Sequence, residues 1–191
     1  GATRADTNVS VSGGTRIEIK GVPKIWLMPL LTYNEAQRQW NLLRLREELK
    51  RRGITPETFT HETADITRIL RRTRFTPIQN AVRQGHVVGA VKLPGWAELL
   101  RWETQDGTRF AREIADRVRV IACLTVLPNI IHSDSPGETL SGAEWKESKA
   151  ALGVTGDDAL VIVWGDAKDV DTAVKEIAIR AKEVTIGIPS E

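Results

Sequence analysis

The chain is poor in cysteine and histidine. It has one cysteine, Cys123, and three histidines spread along 191 residues. A lone cysteine forms no internal disulfide, which is typical of a reducing compartment, and this set does not make a conventional zinc site. No apolar run approaches the roughly 20 residues needed to cross a bilayer, and no signal peptide is recognisable. We therefore expect a cytoplasmic protein with no membrane partner and no metal site in this stretch.

Charge is abundant and unevenly distributed. The formal net charge is +2, with 27 basic and 25 acidic residues. Residues 1–75 hold 14 Lys/Arg and 8 Asp/Glu, a net of +6, whereas residues 76–191 hold 13 and 17, a net of −4. A polyanion would therefore prefer the first part of the chain.

A β-hairpin is predicted at residues 6–20. Two alternating segments flank a Ser12-Gly13-Gly14 turn and place Val9, Val11, Ile17 and Ile19 on one side. The other side gathers charged and polar side chains: Asp6, Asn8, Ser10, Arg16, Glu18 and Lys20. Such a face suits a polyanionic ligand or the wall of a charged active site. The alternative is a solvated face with cross-strand ion pairs.

A long basic helix is predicted over residues 33–52, with Asn34 as N-cap and Gly53 as the C-terminal stop. Its apolar residues recur at helical spacing and form one stripe that includes Trp40. Its arginines, with those at residues 68–74, are the best candidates for phosphate contact. The alternative for Arg38, Arg44 and Arg46 is a solvated face with ion pairs. For Arg51, Arg52, Arg71, Arg72 and Arg74, contact with a phosphate backbone is favoured.

Residues 86–191 alternate between strands and helices. A capping box of Ser141 and Glu144 opens one of the helices. The order β-β-α-β-α-β-α predicts an α+β fold with a two-layer sheet-and-helix domain, preceded by the hairpin and the basic helix. Its predicted strands cover residues 87–93, 97–103, 129–133 and 159–164.

The same residues resemble a known family, the GatB/GatE amidotransferases. The hairpin is similar to a family segment through Arg4-Ala5-Asp6-Thr7-Asn8-Val9-Ser10 and Gly14-Thr15-Arg16-Ile17-Glu18-Ile19-Lys20. Later segments look like the GatE branch in particular, which shares an insertion (GAD) domain with bacterial-type aspartyl-tRNA synthetases. These segments are Val91-Lys92-Leu93-Pro94-Gly95-Trp96-Ala97-Glu98-Leu99-Leu100, Arg109-Phe110, Glu113-Ile114-Ala115-Asp116 and Ile131-His132-Ser133-Asp134.

The resemblance implies a piece of a larger enzyme. Residues 1–53 would close its catalytic core, residues 54–85 would be a connector with short helices, and residues 86–191 would be the insertion domain. The complete enzyme would use ATP and magnesium, with ammonia from the asparaginase-like partner GatD, to convert Glu-tRNA(Gln) to Gln-tRNA(Gln). The fragment alone would lack catalysis and bind no cofactor. The loop at residues 134–138 departs from the family pattern, which puts any partner contact made there in doubt.

By matching position, the resemblance implies that the hairpin face lines or braces the amidotransferase pocket. The residues concerned are Arg4, Asp6, Asn8, Arg16, Glu18 and Lys20. Two other functions stay open: a structural spacer without RNA contact, which the negative charge of residues 86–191 favours, and the insertion domain of an aspartyl-tRNA synthetase.

Other chemically suggestive residues are expected to be structural. Cys123 is predicted to be a core thiol, and His132 a structural side chain rather than a partner of Asp134 in catalysis. Trp96 and Trp102 are weaker candidates for stacking on a base.

Overall fold

The computed structural model describes residues 4–189, which form eight strands and six α-helices. The strands are β1 (Ala5–Val9), β2 (Ile17–Val22), β3 (Glu62–Asp65), β4 (Val87–Leu93), β5 (Glu103–Gln105), β6 (Thr108–Arg109), β7 (Ile130–His132) and β8 (Ala159–Gly165). The helices are α1 (Met28–Arg51), α2 (Thr67–Leu70), α3 (Thr76–Arg83), α4 (Phe110–Ile121), α5 (Gly142–Ala151) and α6 (Ala167–Ile186). None of the helices in this range combines the length and apolarity needed to cross a bilayer.

The first two strands form the predicted hairpin. They pair antiparallel, with Asn8 opposite Glu18 and Val9 opposite Ile17. The long helix begins at Met28 rather than near Tyr33, so Asn34 is not its N-cap. A short 3-10 turn at Ile25–Leu27 leads into it, and Pro29 occupies the first turn, where its missing N–H costs nothing.

The main sheet has four antiparallel strands in the order β3-β4-β8-β7. The strand predicted at residues 97–103 is wrong. That stretch forms a 3-10 turn at Leu99–Arg101, and the sheet takes β3 instead. The buried carboxylate of Asp134 accepts hydrogen bonds from the backbone N–H groups of Glu98 and Leu100, at 2.9 and 3.0 Å. Those donors are thereby lost to any strand ladder.

Helices cover both faces of this sheet. One core joins α1, α4 and α6 to the side chains of Val91, Val161 and Val163. A second core on the opposite face joins α2, α3 and α5 to Ala90 and Ile162. The α+β class is confirmed. One sheet layer and one helix layer were expected, but the structure has three layers, because helices cover both faces of the sheet. The residues that follow the basic helix supply β3, α2 and α3, and so help to build the sheet and its second cover.

Gly89 in the central strand β4 permits close packing of α6. A Cβ atom there would lie 2.8 Å from Cγ1 of Val170 and 3.0 Å from Cγ1 of Val174. We expect Gly89→Ala to lower the free energy of unfolding by about 1–3 kcal/mol, because the added methyl group would push against the buried Val170 and the half-buried Val174. Gly156→Ala is the control, since a Cβ atom there meets open space. Equal stability of the two variants in denaturant titrations would contradict this packing argument.

Candidate nucleic-acid interface

The hairpin presents its polar residues together on an exposed face. Arg4, Asp6, Asn8, Arg16, Glu18 and Lys20 are all exposed, whereas Val9 and Val22 are buried and Ile17 and Ile19 are half-buried. Three of the six have partners within the hairpin. The Asp6 carboxylate accepts the Gly21 N–H at 2.7 Å, and Lys20 Nζ lies 3.4 Å from Glu18 Oε2. The predicted juxtaposition is present; a role in an amidotransferase pocket stays a prediction.

Gln39 attaches the hairpin to α1, a contact that the sequence analysis missed. Its side-chain amide donates to the Val9 carbonyl at 3.3 Å, and its oxygen accepts the Val11 N–H at 3.3 Å. A Cβ atom at Gly14 would collide with that oxygen, so a larger residue there would displace the Gln39 amide from its present position. The position of Gln39 one turn before Leu42 and Leu43 of the apolar stripe was the available signal, because a buried amide needs hydrogen-bond partners.

The helix arginines do not form one solvated face, and the prediction for Arg38 is wrong. Arg38 is 2% exposed and pairs with the buried Glu113 of α4 and with Glu35, whose Oε1 lies 3.3 Å from Nη1. It therefore links the basic helix to the insertion region. Arg44 lies over the Trp102 ring, with Cζ 6.0 Å from the centroid, and Arg46 pairs with Glu47.

Arg51 and Arg52 converge on one carboxylate at the end of α1. Glu48 accepts from Arg51 at 2.6 and 2.8 Å and from Arg52 at 2.9 Å. These hydrogen bonds lower the pKa of Glu48 to about 2. Arg52 also donates to the carbonyls of Gly95 and Ala97, each at 2.9 Å, and so holds the turn after β4. A phosphate at Arg52 would have to replace those structural contacts.

Arg71, Arg72 and Arg74 have a different environment. All three are exposed around the short helix α2, and within residues 4–189 their side chains form no ion pair or hydrogen bond. Arg72 and Arg74 border a concavity of about 510 Å³ that extends to the N-terminus of α5. The acids on its rim are Glu138 and Glu144, and the Glu144 carboxylate is engaged by the Ser141 N–H at 2.8 Å. The guanidinium N–H groups of these three arginines are therefore available to an anion.

Cys123, His132 and Asp134 do not form a catalytic set. Asp134 is committed to the backbone turn described above, and burial lowers the pKa of His132, so its neutral form is favoured. The prediction of a core thiol is wrong, because Cys123 is exposed just beyond the end of α4 with φ +59°.

The two tryptophans proposed for stacking also have structural contacts. Trp96 is 0% exposed and stacks on Phe110, with ring centroids 5.6 Å apart, so base stacking by Trp96 is excluded. Trp102 is half-buried and donates its indole N–H to the Asn41 carbonyl at 2.9 Å. Both rings hold the 3-10 turn and its neighbours against the core.

Similarity to known proteins agrees with this architecture. Residues 78–174 match the model of the GAD domain. The chain belongs to the GAD domain family. This match includes the strands β4, β7 and β8, the turn held by Asp134 and the helices α4 and α5.

Several relatives that align with the whole chain bear the name of the E subunit of glutamyl-tRNA(Gln) amidotransferase. Over its full length the chain is 39% identical to the protein of that name from Pyrococcus furiosus, 40% to the one from Pyrococcus horikoshii and 36% to the one from Caldivirga maquilingensis. The chain spans about 30% of the length of these relatives. The similarity covers the hairpin and basic helix as well as the GAD region, as expected for a piece of a GatE protein.

Proposed function

We propose that this chain is part of a tRNA-dependent amidotransferase of the GatE type, which converts Glu-tRNA(Gln) to Gln-tRNA(Gln). The observation that carries this proposal is the similarity of the entire chain, at 36–40% identity, to proteins named for that activity. The same proposal includes tRNA(Gln) and the asparaginase-like GatD as partners and the cytoplasm as the location.

In this proposal the chain helps to bind tRNA and to support the structure of the enzyme, and it performs no catalytic step. ATP and magnesium belong to the proposed reaction, but the described residues do not fit a metal–nucleotide site. Between Arg4 and Pro189 no three His, Cys, Asp or Glu side chains lie close enough to hold a metal ion. The hairpin carboxylates, Asp6 and Glu18, already have partners. The hairpin face therefore only borders the reacting groups in this proposal, and no catalytic step runs through it.

We propose that Arg71, Arg72 and Arg74 contact tRNA phosphates. Exposed guanidinium groups without a protein partner give up no protein contact when a phosphate pairs with them, whereas Arg51 and Arg52 would give up hydrogen bonds to Glu48. Replacing all three by glutamine should weaken tRNA(Gln) binding by at least about tenfold at moderate salt, since each phosphate contact releases counterions. Filter binding or fluorescence anisotropy with labelled tRNA measures the effect.

A matched variant distinguishes an effect of this surface on tRNA binding from an effect of the overall charge. Lys168, Lys175 and Lys182 lie on α6, which covers the opposite face of the sheet, and all three are exposed. Their triple glutamine variant has the same change in charge and should bind tRNA within about twofold of the parent chain. Similar losses for both triple variants would mean that affinity follows overall charge and not the α2 surface.

The salt dependence of tRNA affinity reports how many phosphate contacts are made. Three phosphate contacts at a slope of about −0.8 each predict that the tRNA affinity of the parent chain falls about 30-fold between 50 and 200 mM salt. The arginine variant should lose most of this dependence. If parent and variant bind equally weakly at every salt concentration, the second function is favoured: a structural spacer without RNA contact, consistent with the net −4 of residues 76–191.

A further inference from the structure

One end of the main sheet carries a cavity of about 460 Å³. At this end Val87 of β4 pairs with Gly165 of β8. The helix α3 ends beside the cavity, the loop at residues 122–129 forms one side of it, and α6 begins on the other side. We call this end of the sheet the tip, and the cavity the tip cavity. Its apolar wall includes the buried Trp164 and the half-buried Leu124.

The tip lies far from the junction with α1. Arg52, at the end of α1, contacts the carbonyls of Gly95 and Ala97, just beyond the other end of β4. The helix α6 starts at the tip and runs back across the sheet, so that Thr185 borders the same concavity as Ile54. The domain is therefore joined to α1 at one end of the sheet and presents the tip at the other.

The surface beside the tip cavity is apolar and uncovered. In the loop that follows α4, Val126 is 79% exposed and Leu127 is 49% exposed. Val120 and Ile121 in the last turn of α4 are 68% and 41% exposed, and Val126 lines the cavity itself. Single exposed apolar residues are ordinary, but a cluster of them next to a cavity indicates a surface that is buried on binding.

The charge of the tip cavity is negative. Asp166 and Asp169 line it, and within residues 4–189 no lysine or arginine does. The Asp166 carboxylate caps α6 by accepting the Lys168 N–H at 2.9 Å, which leaves its charge in place. The helices α3 and α4 end at the tip with their carbonyl groups, whereas only α6 begins there. Helix C-termini favour cations, so they add to the effect of the two carboxylates.

We propose that the tip cavity binds a peptide segment of another polypeptide. An apolar side chain of that segment enters the cavity, and a lysine or arginine next to it pairs with Asp166 and Asp169. The volume is in the range of ordinary ligand pockets. A polyanion such as RNA is disfavoured by the carboxylates, and a symmetric contact between two copies would bring both pairs of carboxylates together. This inference goes beyond the proposed function and does not depend on tRNA contact.

The first test uses the 191-residue chain and a synthetic heptapeptide with phenylalanine between two arginines and with serine and glycine at each end. We expect a Kd of about 1 mM or tighter in an NMR titration of the ¹⁵N-labelled chain. The signals that shift should be the Trp164 indole and the amides of Leu124 and Val126. The Trp40 indole is the reference, because Trp40 is 59% exposed on α1 and does not lie on the buried stripe that the sequence predicted.

Two control peptides separate the apolar contribution from the charged one. Replacing both arginines by glutamate should weaken binding by at least about tenfold, because the cavity repels anions. Replacing phenylalanine by alanine should weaken binding by a similar factor, because less apolar surface is buried. If the glutamate peptide binds as tightly as the arginine peptide, or if the arginine peptide shifts no tip signal up to about 5 mM, the proposal is wrong.

Substitutions locate the binding site. Val126→Lys adds a positive charge to the cavity wall and should weaken binding of the arginine peptide by at least about tenfold. Ile179→Lys makes the same chemical change on α6 at a position that is 47% exposed and does not line the cavity, and should have no effect. The double variant Asp166→Asn with Asp169→Asn keeps a residue able to cap α6 and should weaken binding by about three- to tenfold. Equal affinities for the chain and for both cavity variants overturn the proposal.

Cys123 provides an independent measurement. It is the only cysteine of the chain, it is exposed, and it lines the tip cavity. A saturating concentration of the arginine peptide should slow the alkylation of Cys123 by iodoacetamide by at least about fivefold, because the thiol must be accessible to react. An unchanged rate means that the peptide binds elsewhere, which overturns the proposal.

Other occupants give different results in the same titrations. If a second copy of the chain fills the tip, the Leu124 and Val126 signals shift with the concentration of the chain alone. If RNA fills it, tRNA shifts those signals and slows the alkylation of Cys123. Either result overturns the proposal. Neither result depends on whether the arginines around α2 bind tRNA, so this proposal and the proposed function can fail separately.

Discussion

Glu113→Ala is expected to lower the free energy of unfolding by about 2–4 kcal/mol, because it removes one of the two carboxylates that pair with the buried Arg38 guanidinium and leaves Glu35 as the remaining partner. Glu113 is 8% exposed and Arg38 is 2% exposed, so the ion pair lies largely out of contact with solvent. The pair joins α1 to α4, so the variant should also loosen the basic helix from the sheet. Urea unfolding followed by circular dichroism measures the loss.

Two further variants distinguish the buried charge from simple loss of packing. Glu113→Gln keeps a hydrogen-bond acceptor beside Arg38 and should cost less than the alanine variant. The double variant Arg38→Met with Glu113→Leu removes both charges and should recover most of the stability. If Glu113→Ala costs less than about 1 kcal/mol, the ion pair does not hold the two helices together.

Trp96→Ala is expected to cost about 3–5 kcal/mol, because it opens a large cavity in the core. Trp96 is fully buried against Phe110, in the same cluster as Leu93 and Leu100. The loss should appear as a lower denaturant midpoint. Under conditions where the variant remains folded, its affinity for tRNA should match that of the parent chain, since the ring never reaches the surface.

Trp26→Ala is the matched control in the 191-residue chain. It removes the same side chain from a position that is 69% exposed, and should change stability by about 0.5 kcal/mol or less. Trp96→Phe keeps an aromatic ring against Phe110 and discards an indole N–H that finds no partner among the described residues, so it should cost less than Trp96→Ala. Equal costs for the alanine variants at positions 26 and 96 would refute this placement of the core.

Strong local signals determined much of the secondary structure. The hairpin follows from strict alternation around Ser12-Gly13-Gly14, the strand at residues 159–164 from its unbroken apolar run, and α5 from the capping box of Ser141 and Glu144, which the structure confirms. Each signal lies within a few residues and depends on local side-chain chemistry and backbone geometry, with no need of a distant partner.

The elements that were predicted wrongly are those whose structure depends on residues far away in the sequence. Residues 97–103 have an apolar, strand-like composition, but Asp134, more than 30 residues away, takes their backbone donors and makes a 3-10 turn. The third layer arises because β3 pairs with β4, which brings α2 and α3 over the second face of the sheet. No local pattern encodes such pairings.

The sequence by itself determined the family, the α+β class and the one-sided charge of the hairpin, because motifs and periodicity are properties of neighbouring residues. Only the tertiary structure decided which arginines are available to an anion. Arg38 is enclosed by Glu113, Arg52 is held by Glu48 and two carbonyls, and Arg71, Arg72 and Arg74 are left without partners among residues 4–189. The physical reason is that a guanidinium is free or engaged according to which acids and carbonyls the fold brings beside it.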